Sequence, residues 1–398
     1  MISVGIDVSK EKSTVCILKP YGEIVMDSKD FVHTETQLQM LVKQLRTYDE
    51  ELKVVMEATG AYHLPILQYL KEEGFFVAVI NPLEMKRYRC QGIRNAKTDK
   101  IDARIISNYG IDFWYRLSDF ETRDEVYVEL RLLGRQYRQY MKFRIENILG
   151  LSNMLDQTMP GIKELLSGWN KYNGRDKLSD FVYEFWHFDN IKKHSEAKFI
   201  ERYNKWAKKQ GYQSSDQKAK EIYALAKEGI PTLLSCTPST KMLVQESVKI
   251  VREVDNTLTQ ILARMDELAK TLPEYKVVHE MGGVGDSLAA RLIGEIGDIR
   301  RFSSGKALVA YAGIDAPPYQ SGKFTGTERH ISKRGSPTLR KAGFETMTCL
   351  YMQMKSGDPV YDFMKKKQAE GKACKVAKIA GFNKFLRIYY ARVMEVYQ

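Results

Sequence analysis

The order of short apolar segments in the first 110 residues constrains the fold more than any other feature of the chain. Three β-rich runs, "SVGIDVS", "STVCILK" and "GEIVMDS", are separated only by short turns, which predicts an antiparallel meander. A helical pattern over 35–48 follows, then the strand "LKVVME", a helix over 61–73, the strand "FFVAVI" and a helix that begins near Thr98. The sequence therefore predicts an α/β unit of order β-β-β-α-β-α-β-α.

This order is that of an RNase H-like (RuvC-like) fold, in which the first and fourth strands are neighbours. Asp7 ends the first strand and Glu57 ends the fourth, so both carboxylates are expected at one edge of the sheet. Asp99 and Asp102 are three positions apart, which places them on one face of the following helix. Four acids at one edge repel one another unless cations lie between them. We therefore expect a site for Mg²⁺ or Mn²⁺, in which two ions about 3.5–4 Å apart would clamp the oxygens of a phosphodiester.

Plainer interpretations of the acids exist. An Asp after a strand is most often a turn residue, and Asp99 behind Thr98 could simply start a helix. The N-terminal strand and Asp7 also resemble the phosphate-binding hairpin of actin-like ATPases and sugar kinases. Those folds usually carry glycine in the turn that Ser9 and Lys10 occupy here, and we find no convincing later phosphate or adenosine loop in the sequence.

Charge and composition favour a nucleic-acid partner and argue against a membrane or secreted protein. The net charge is +12, and residues 275–398 hold 21 Lys and Arg against 11 Asp and Glu, an excess typical of a surface that neutralises phosphates, although solubility alone is an equally good explanation. No run of 18 apolar residues exists, and the five cysteines form neither a CxxC pair nor a zinc-type spacing. The expected location is the prokaryotic cytoplasm, in association with the nucleoid.

Two long amphipathic helices are predicted in the middle of the chain. Apolar residues recur every three or four positions from Val126 to Leu155 and again from Val244 to Leu272, which favours an antiparallel coiled-coil arm over an ordinary helical bundle. The insert between them, 156–240, contains three of the four tryptophans, Trp169, Trp186 and Trp206. Aromatic rings among lysines can stack on single-stranded nucleic acid, but core packing is the more frequent role of Trp.

The last third is predicted to be mainly α-helical. It begins with "HEMGGVGDSLAARLIGEIGDIRRF", in which Gly282, Gly283 and Gly285 form a turn into a helix, as in a helix-hairpin-helix element that contacts phosphate through backbone N–H groups. A glycine turn between two helices is the plainer interpretation. The predicted domains are therefore 1–118, 119–274 and 275–398.

Several motifs together carry a family resemblance. They are "GIDVSK", "MEATGAYH", "INPLEMKRYR" leading to "RNAKTDKIDAR", and, far downstream, "GEIGDIRRFSSGKALVAYAGI", "YQSGKFTG" and "ISKRGSPTLRKA". In this order they resemble the DEDD transposases of the insertion sequence 110 family, which are related to Piv-type DNA invertases. The resemblance covers about 1–115 and 275–355, and the long insert has no counterpart in it.

The resemblance implies a function and a set of site residues. It implies an RNase H-like domain whose acids, here Asp7, Glu57, Asp99 and Asp102, bind Mg²⁺, and a C-terminal transposase domain whose Ser-Gly motif places the nucleophilic serine at Ser321. It also implies a homo-oligomer, a dimer or a tetramer, in which the acids of one subunit meet the serine of another. For many members it implies a noncoding bridge RNA that pairs with donor and target DNA.

Basic residues accompany both halves of the expected site. Cations could hold a phosphate near Ser321 and favour its attack on phosphorus, although a serine in a loop is usually a turn residue, and Thr325, Ser332 and Ser336 are rivals, Ser332 the strongest. The expected phosphate-binding residues are Arg94, Lys97, Lys100 and Arg104 beside the acids, and Lys323, Arg329, Lys333 and Arg334 beside the serine.

Three functions agree with these features. The leading hypothesis is an insertion-sequence transposase, a site-specific DNA recombinase with a 5′-phosphoserine intermediate. The first alternative is a metal-dependent, junction-resolving nuclease in which the acids activate water and Ser321 is structural. The second is a non-catalytic nucleic-acid-binding protein.

Overall fold

The chain forms two compact units, Met1–Thr122 and Arg123–Gln398. The structure, a computed structural model, describes residues 1–90, 98–120, 124–166, 176–317, 330–354 and 356–398, and the backbone alone of 320–321 and 324–325. The division into 1–118, 119–274 and 275–398 stays a prediction.

The first unit is built on a mixed five-stranded sheet. Its strands are β1 (Ile2–Val8), β2 (Lys12–Leu18), β3 (Ile24–Val32), β4 (Leu52–Glu57) and β5 (Val77–Ile80), in the order β3-β2-β1-β4-β5. The first three strands pair antiparallel, and β4 and β5 run parallel to β1. The predicted meander and the predicted neighbouring positions of the first and fourth strands are confirmed.

Four helices accompany the sheet. They are α1 (Glu35–Leu45), α2 (Leu64–Glu72), α3 (Pro82–Arg89) and α4 (Asp99–Asp112). The residues of α1 and α2 share one core with the even-numbered residues of β1, whereas α4 packs on the other side, where Ala103 and Ser107 lie over Gly5. The central strand is buried on both faces, as expected of a strand covered by helices on both sides.

The helix α3 is missing from the sequence prediction, which placed nothing between "FFVAVI" and the helix near Thr98. Its start nevertheless has a clear local cause. The side chain of Asn81 accepts a hydrogen bond from the N–H of Leu83, and Pro82 occupies the first helical position, where its missing N–H costs nothing. Its last turn carries Lys86, Arg87 and Arg89, which suit the negative end of the helix dipole.

The second unit begins with the predicted pair of long helices, α5 (Glu125–Thr158) and α11 (Pro238–Lys270). Arg144 pairs with Asp255 at 2.5 Å and Glu129 with Arg264 at 3.0 Å, so residue numbers rise along one helix as they fall along the other and the pair is antiparallel. The two long helices are confirmed, whereas coiled-coil geometry stays a prediction.

The insert forms a helical core at one end of this pair. Its helices are α6 (Ile162–Leu166), α7 (Lys177–Phe185), α8 (Phe188–Lys192), α9 (Glu196–Lys209) and α10 (Asp216–Glu228). Trp206 is only 7% exposed and packs among Phe181, Phe185 and Tyr203, so core packing is its role here. Trp186 packs at the margin of the same core, and Trp169 lies outside the described residues.

The other end of the helix pair shares a core with the remaining helices. These are α12 (Tyr275–His279), α13 (Asp286–Ile296), α14 (Gly305–Ala312), α15 (Pro337–Gln353), α16 (Pro359–Ala369) and α17 (Cys374–Val396). Between α14 and α15 in sequence, two short strands pair antiparallel, β6 (Gln320–Ser321) and β7 (Phe324–Thr325). Gly283, with φ of +79°, lies in the turn between α12 and α13, and a helix-hairpin-helix function there stays a prediction. Within the described ranges, no helix is long and apolar enough to cross a membrane.

Candidate active site

The strand register brings Asp7 and Glu57 to the same face and edge of the sheet. Ile6 of β1 pairs with Met56 of β4, so the next residue of each strand is one of the two acids. Side chains alternate between faces along a strand, and Gly5 lies on the face covered by α4, so Asp7 lies on that face too. Glu57 shares this face with Val55, which packs against α4.

A close helix-to-strand contact brings the other two acids to the same edge. The hydroxyl of Ser107 donates a 2.7 Å hydrogen bond to the carbonyl oxygen of Ser3, and a Cβ on Gly5 would lie only 2.7 Å from the Cα of Ser107. This packing runs α4 back along β1, so its first turn, with Asp99 and Asp102, lies at the end of the strand that carries Asp7. Thr98 caps this turn by accepting a hydrogen bond from the N–H of Ile101.

Gly5 is therefore expected to be required for the position of these acids. In Gly5→Ala the new methyl group would overlap the backbone of α4 at Ala103 and Ser107, neither of which can rotate away. We expect a loss of about 1–3 kcal/mol in the free energy of unfolding, measured by denaturant titration. Gly150→Ala in α5 is the control, because the added Cβ meets no atom within 4 Å and helix propensity improves by about 1 kcal/mol. Equal stability of the two variants would contradict the close packing.

The four acids influence one another electrostatically. The pKa of Asp7 is raised to about 6, first by burial and then by the negative charges of Asp102, Asp99 and Glu57, while Arg89 opposes the rise. Asp102 is almost fully buried, with 6% of its surface exposed, whereas Asp99 is exposed. Burial and the neighbouring carboxylates thus both disfavour a charge on Asp7, and a bound cation would offset that cost.

Arg89 is the cation nearest to the buried acids. Its Nη2 donates a 2.9 Å hydrogen bond to Glu57, and its Nε lies 3.6 Å from Asp102, too far for a hydrogen bond, so this buried N–H has no acceptor among the described residues. On the open side, Lys12 lies 3.8 Å from Asp99 and 2.6 Å from Asp30. In the part of the chain that the structure describes, no three acidic, His or Cys side chains converge closely enough to share one ion.

The position of Arg89 follows from the packing of α3 against α4. The hydroxyl of Tyr109 donates to Glu84 at 2.7 Å and the hydroxyl of Tyr88 donates to Asp112 at 2.5 Å, and the two rings meet edge to face. Arg89 is absent from the site residues that the sequence predicts. Two features of the sequence could have indicated Arg89. They are the Asn-Pro helix start and the basic last turn, which together define a helix that ends beside the fourth strand.

The basic residues expected beside the acids are only partly described. Lys100 and Arg104 lie on α4 with exposed side chains, in the turn that carries the acids and in the next. Arg94 and Lys97 lie outside the described residues.

The second unit contains the expected nucleophile. Ser321 lies in β6, a two-residue strand rather than a plain loop, and its backbone pairs with Phe324. Lys333, with φ of +53°, and Arg334 are exposed in the segment that leads into α15, whereas Lys323 and Arg329 lie outside the described residues.

The hydroxyl groups of two rival serines already have structural partners. Ser332 donates a 2.5 Å hydrogen bond to the carboxylate of Asp315, and its backbone N–H donates to the carbonyl oxygen of the same residue. Ser336 donates to the buried Glu295 at 2.6 Å and accepts a hydrogen bond from the N–H of Leu339 as the N-cap of α15. Both hydroxyls hold the segment together, which makes them poorer candidates for a nucleophile. The side chain of the third rival, Thr325, is not described.

Two family models match the chain in sequential order. A DEDD transposase model of the IS110 type matches residues 4–160, and a model of the IS116/IS110/IS902 transposase family matches residues 275–361. The 4–160 match includes all four acids, and the 275–361 match includes Ser321.

Known proteins resemble the chain over most of its length. An uncharacterized protein of insertion element IS116 from Streptomyces clavuligerus is 22% identical over 93% of this chain and 89% of its own length. The corresponding protein of insertion element IS110 from Streptomyces coelicolor is 23% identical over 86% and 82%, respectively. A pilin gene-inverting protein from Moraxella lacunata is 24% identical over 98% and 95%.

Among solved structures, RuvC from Thermus thermophilus matches 29% of this chain and 96% of its own, at 12% identity and a TM-score of 0.23. The same protein bound to a Holliday junction matches with 10% identity and the same TM-score. We take the fold of the first unit from its own strand order and register.

Proposed function

Because the chain belongs to the IS110 family of transposases, we propose that it is a site-specific DNA recombinase that moves an insertion sequence and uses Ser321 as its nucleophile. Membership of a transposase family implies an enzyme that cuts and rejoins DNA. The observation that carries the finer proposal is the meeting of Asp7, Glu57 and α4 at one edge of the sheet. The pilin gene-inverting relative supports recombination rather than simple cleavage, because inversion also requires rejoining.

By their chemistry the acids suit a divalent cation, although no three of the described ones converge on one point, and we propose that they hold Mg²⁺ or Mn²⁺ in an RNase H-like catalytic domain. Asp7, Glu57, Asp99 and Asp102 offer only carboxylate oxygens, the ligands that these ions prefer, and a bound cation would stabilise the charged form of Asp7, whose pKa is raised to about 6 mainly by burial. When bound, such an ion supplies a Lewis acid that polarises the scissile phosphate. Lys100 and Arg104 would hold the DNA backbone beside the acids.

The covalent step belongs to the second unit. The oxygen of Ser321 would attack phosphorus and displace the 3′-oxygen, which leaves the 5′ phosphate on the serine and a free 3′-hydroxyl. A 3′-hydroxyl from the other DNA partner would then attack the phosphoserine, which restores the serine and joins the strands. Each step exchanges one phosphoester for another, so no ATP is needed. Lys323, Arg329, Lys333 and Arg334 would stabilise the charge on the phosphate.

We also propose a homo-oligomer, a dimer or tetramer, in which the acids and Ser321 of different subunits form one site, and guidance by a bridge RNA. The family supports both parts. Purification from cells that carry the whole element, followed by sequencing of the bound nucleic acid, tests the guide: a single defined RNA supports it, and its absence leaves recognition to the protein alone.

The overall proposal is tested by incubating the protein with element-end DNA, target DNA and Mg²⁺, where joined products are expected and cleavage without joining would favour the nuclease.

Arg89 is expected to compete with the divalent ion. In Arg89→Gln the carboxylates of Glu57 and Asp102 lose their cation, so without metal the free energy of unfolding falls by about 1.5–3 kcal/mol. Addition of Mg²⁺ should then raise the melting temperature more in the variant than in the wild type. Thermal unfolding in EDTA and in Mg²⁺ measures both effects.

Arg46→Gln is the matched control for this experiment. Arg46 forms an exposed ion pair with Glu73 at 2.6 Å in the same unit, away from the acids, so its loss costs at most about 1 kcal/mol and leaves the Mg²⁺ response unchanged. An identical Mg²⁺ shift in the wild type and in Arg89→Gln would show that Arg89 does not occupy the ion's position.

A further inference from the structure

A positively charged cleft lies in the second unit where α5, α13 and α15 meet. The helices α5 and α13 touch at Gly294, where a Cβ would lie 2.9 Å from the Cβ of Leu130. Beside this contact the cleft contains four basic and two acidic side chains, an excess of two positive charges: Arg131, Arg138, Arg291, Lys341, Glu295 and Glu345.

Both carboxylates in the cleft already have partners. Glu345 forms a 2.7 Å ion pair with Arg291. Glu295, which is 6% exposed, accepts a 2.6 Å hydrogen bond from Ser336 and lies 3.8 Å from Arg131. The two carboxylates therefore neutralise Arg291 and Arg131, and the charges of the other two cations are not neutralised within the cleft.

Those two cations are Arg138 and Lys341. Arg138 donates a 3.1 Å hydrogen bond to the hydroxyl of Thr338, and neither cation has an ion-pair partner among the residues that the structure describes. Thr338 and Lys341 are three positions apart, so they share one face of α15. Arg138 and Lys341 therefore converge from two helices on the first turns of α15, whose helix dipole adds positive potential.

We propose that this cleft binds a backbone phosphate of the nucleic acid, held between Arg138 and Lys341. Arg131 also lines the cleft, and its buried Nε has no acceptor among the described residues. A guanidinium and an ammonium that face one opening suit a tetrahedral anion with several acceptor oxygens. A phosphate contact of this kind contributes affinity and register and carries no sequence information.

The surroundings favour a phosphate within a polymer over a free anion. Lys333 and Arg334 are exposed just before α15 and add two cations to the segment between Ser321 and the cleft in sequence. That segment is tied to the cleft at its base, since Arg131 donates to the hydroxyl of Tyr311 at 2.9 Å and the N–H of Ser336 donates to the carbonyl oxygen of Tyr311. The inference rests on the proposed function only for its nucleic-acid ligand.

The test is the salt dependence of binding by the full-length protein. Fluorescence anisotropy in EDTA, which prevents strand cleavage, follows one labelled DNA duplex and one labelled single-stranded RNA over a range of salt concentrations. Loss of one neutralised phosphate should flatten the slope of log K against log salt by about 0.9 for the duplex and about 0.7 for a single strand. We expect this flattening in the double variant Arg138→Gln/Lys341→Gln, with weaker binding to every sequence.

Two controls separate charge from packing. The variant Arg138→Lys/Lys341→Arg keeps both charges and should keep the wild-type slope. Lys276→Gln removes a lysine from α12, outside the cleft, and should leave the slope unchanged. Flattening with DNA alone or with RNA alone identifies which polymer the cleft holds.

An unchanged slope for both polymers in the double variant, with a wild-type circular dichroism spectrum, would overturn the inference. This outcome is distinguishable from failure of the proposed function, which is judged by joined DNA products. If the double variant has wild-type slopes and the protein recombines DNA, only the phosphate-binding inference is rejected. If the slopes are flattened but the protein joins no DNA, only the recombinase proposal is rejected.

Discussion

Asp7→Asn is expected to abolish recombination while making the metal-free protein more stable. Loss of one of the proposed carboxylate ligands would remove several kcal/mol of transition-state stabilisation, so joined products should fall by about 10²–10³-fold or more. The same substitution removes a half-buried negative charge that faces Asp102, Asp99 and Glu57. The acid therefore costs stability in the absence of an ion, as is common at active sites.

The sign of the pH dependence follows from the raised pKa of Asp7. Its pKa rises from 3.8 to about 6 on folding, so the folded protein binds the proton more tightly than the unfolded chain does. In EDTA, the wild type should therefore lose stability relative to Asp7→Asn as the pH rises from about 4 to about 6, and should keep that deficit above it. Recombination should have the opposite trend, falling below about pH 6 because a protonated Asp7 is a poor ligand.

Thermal unfolding of both proteins across the range from about pH 4 to about pH 8, with EDTA or with Mg²⁺, measures these effects as shifts in melting temperature. The control is Asp119→Asn, because Asp119 pairs with Lys71 at 2.6 Å and accepts the N–H of Val77 at 2.9 Å. That carboxylate is stabilising, so its loss should lower the melting temperature and leave the Mg²⁺ response intact. An Asp7→Asn protein that recombines DNA normally would refute the assignment of the acids.

The strands of the first unit were predictable because their signal is local. Alternating or fully apolar runs such as "SVGIDV" bury both faces of a central strand, and the short turns leave few ways to connect them. From this order follow the adjacent positions of β1 and β4, and hence the meeting of Asp7 with Glu57. The placement of the candidate acids thus depends mainly on periodicity and strand order.

The contacts that refine the site depend on pairs far apart in sequence. The role of Gly5 appears only when α4 lies against β1, about a hundred residues later in the chain. Arg89 was missed because eight residues of mixed polarity give a helix too short for a clear apolar period. The same limit applies to the cleft, whose Arg138 and Lys341 are about two hundred residues apart and line one cleft only after α5 and α15 have both packed on α13.

In the insert the composition suggested nucleic-acid binding, whereas the packing of Trp206 shows a core residue. Lysines and tryptophans together are compatible with stacking on nucleic acid, yet the ring of Trp206 is used in the core beside Phe181 and Phe185. Burying an aromatic side chain contributes more free energy to folding than leaving it exposed. A small helical subdomain therefore places its largest side chains in its own core.

Ser321→Ala is expected to eliminate the covalent protein–DNA intermediate. Alanine has no oxygen to attack phosphorus, so incubation with element-end DNA and Mg²⁺ should give no protease-sensitive adduct and no joined product. The wild type should give an adduct whose DNA mobility is restored by protease. The experiment also separates the functions, since a nuclease that uses water forms no adduct in either protein.

Ser332→Ala and Ser336→Ala are the matched controls, because the structure gives both hydroxyls another partner. Ser332 donates to Asp315, and Ser336 caps α15, so Ser336→Ala should cost about 0.5–2 kcal/mol in stability. Both variants should still form the adduct. An undiminished adduct in Ser321→Ala, with its loss in Ser332→Ala, would move the nucleophile to Ser332 and turn the Asp315 carboxylate, 2.5 Å from that hydroxyl, into its natural proton acceptor.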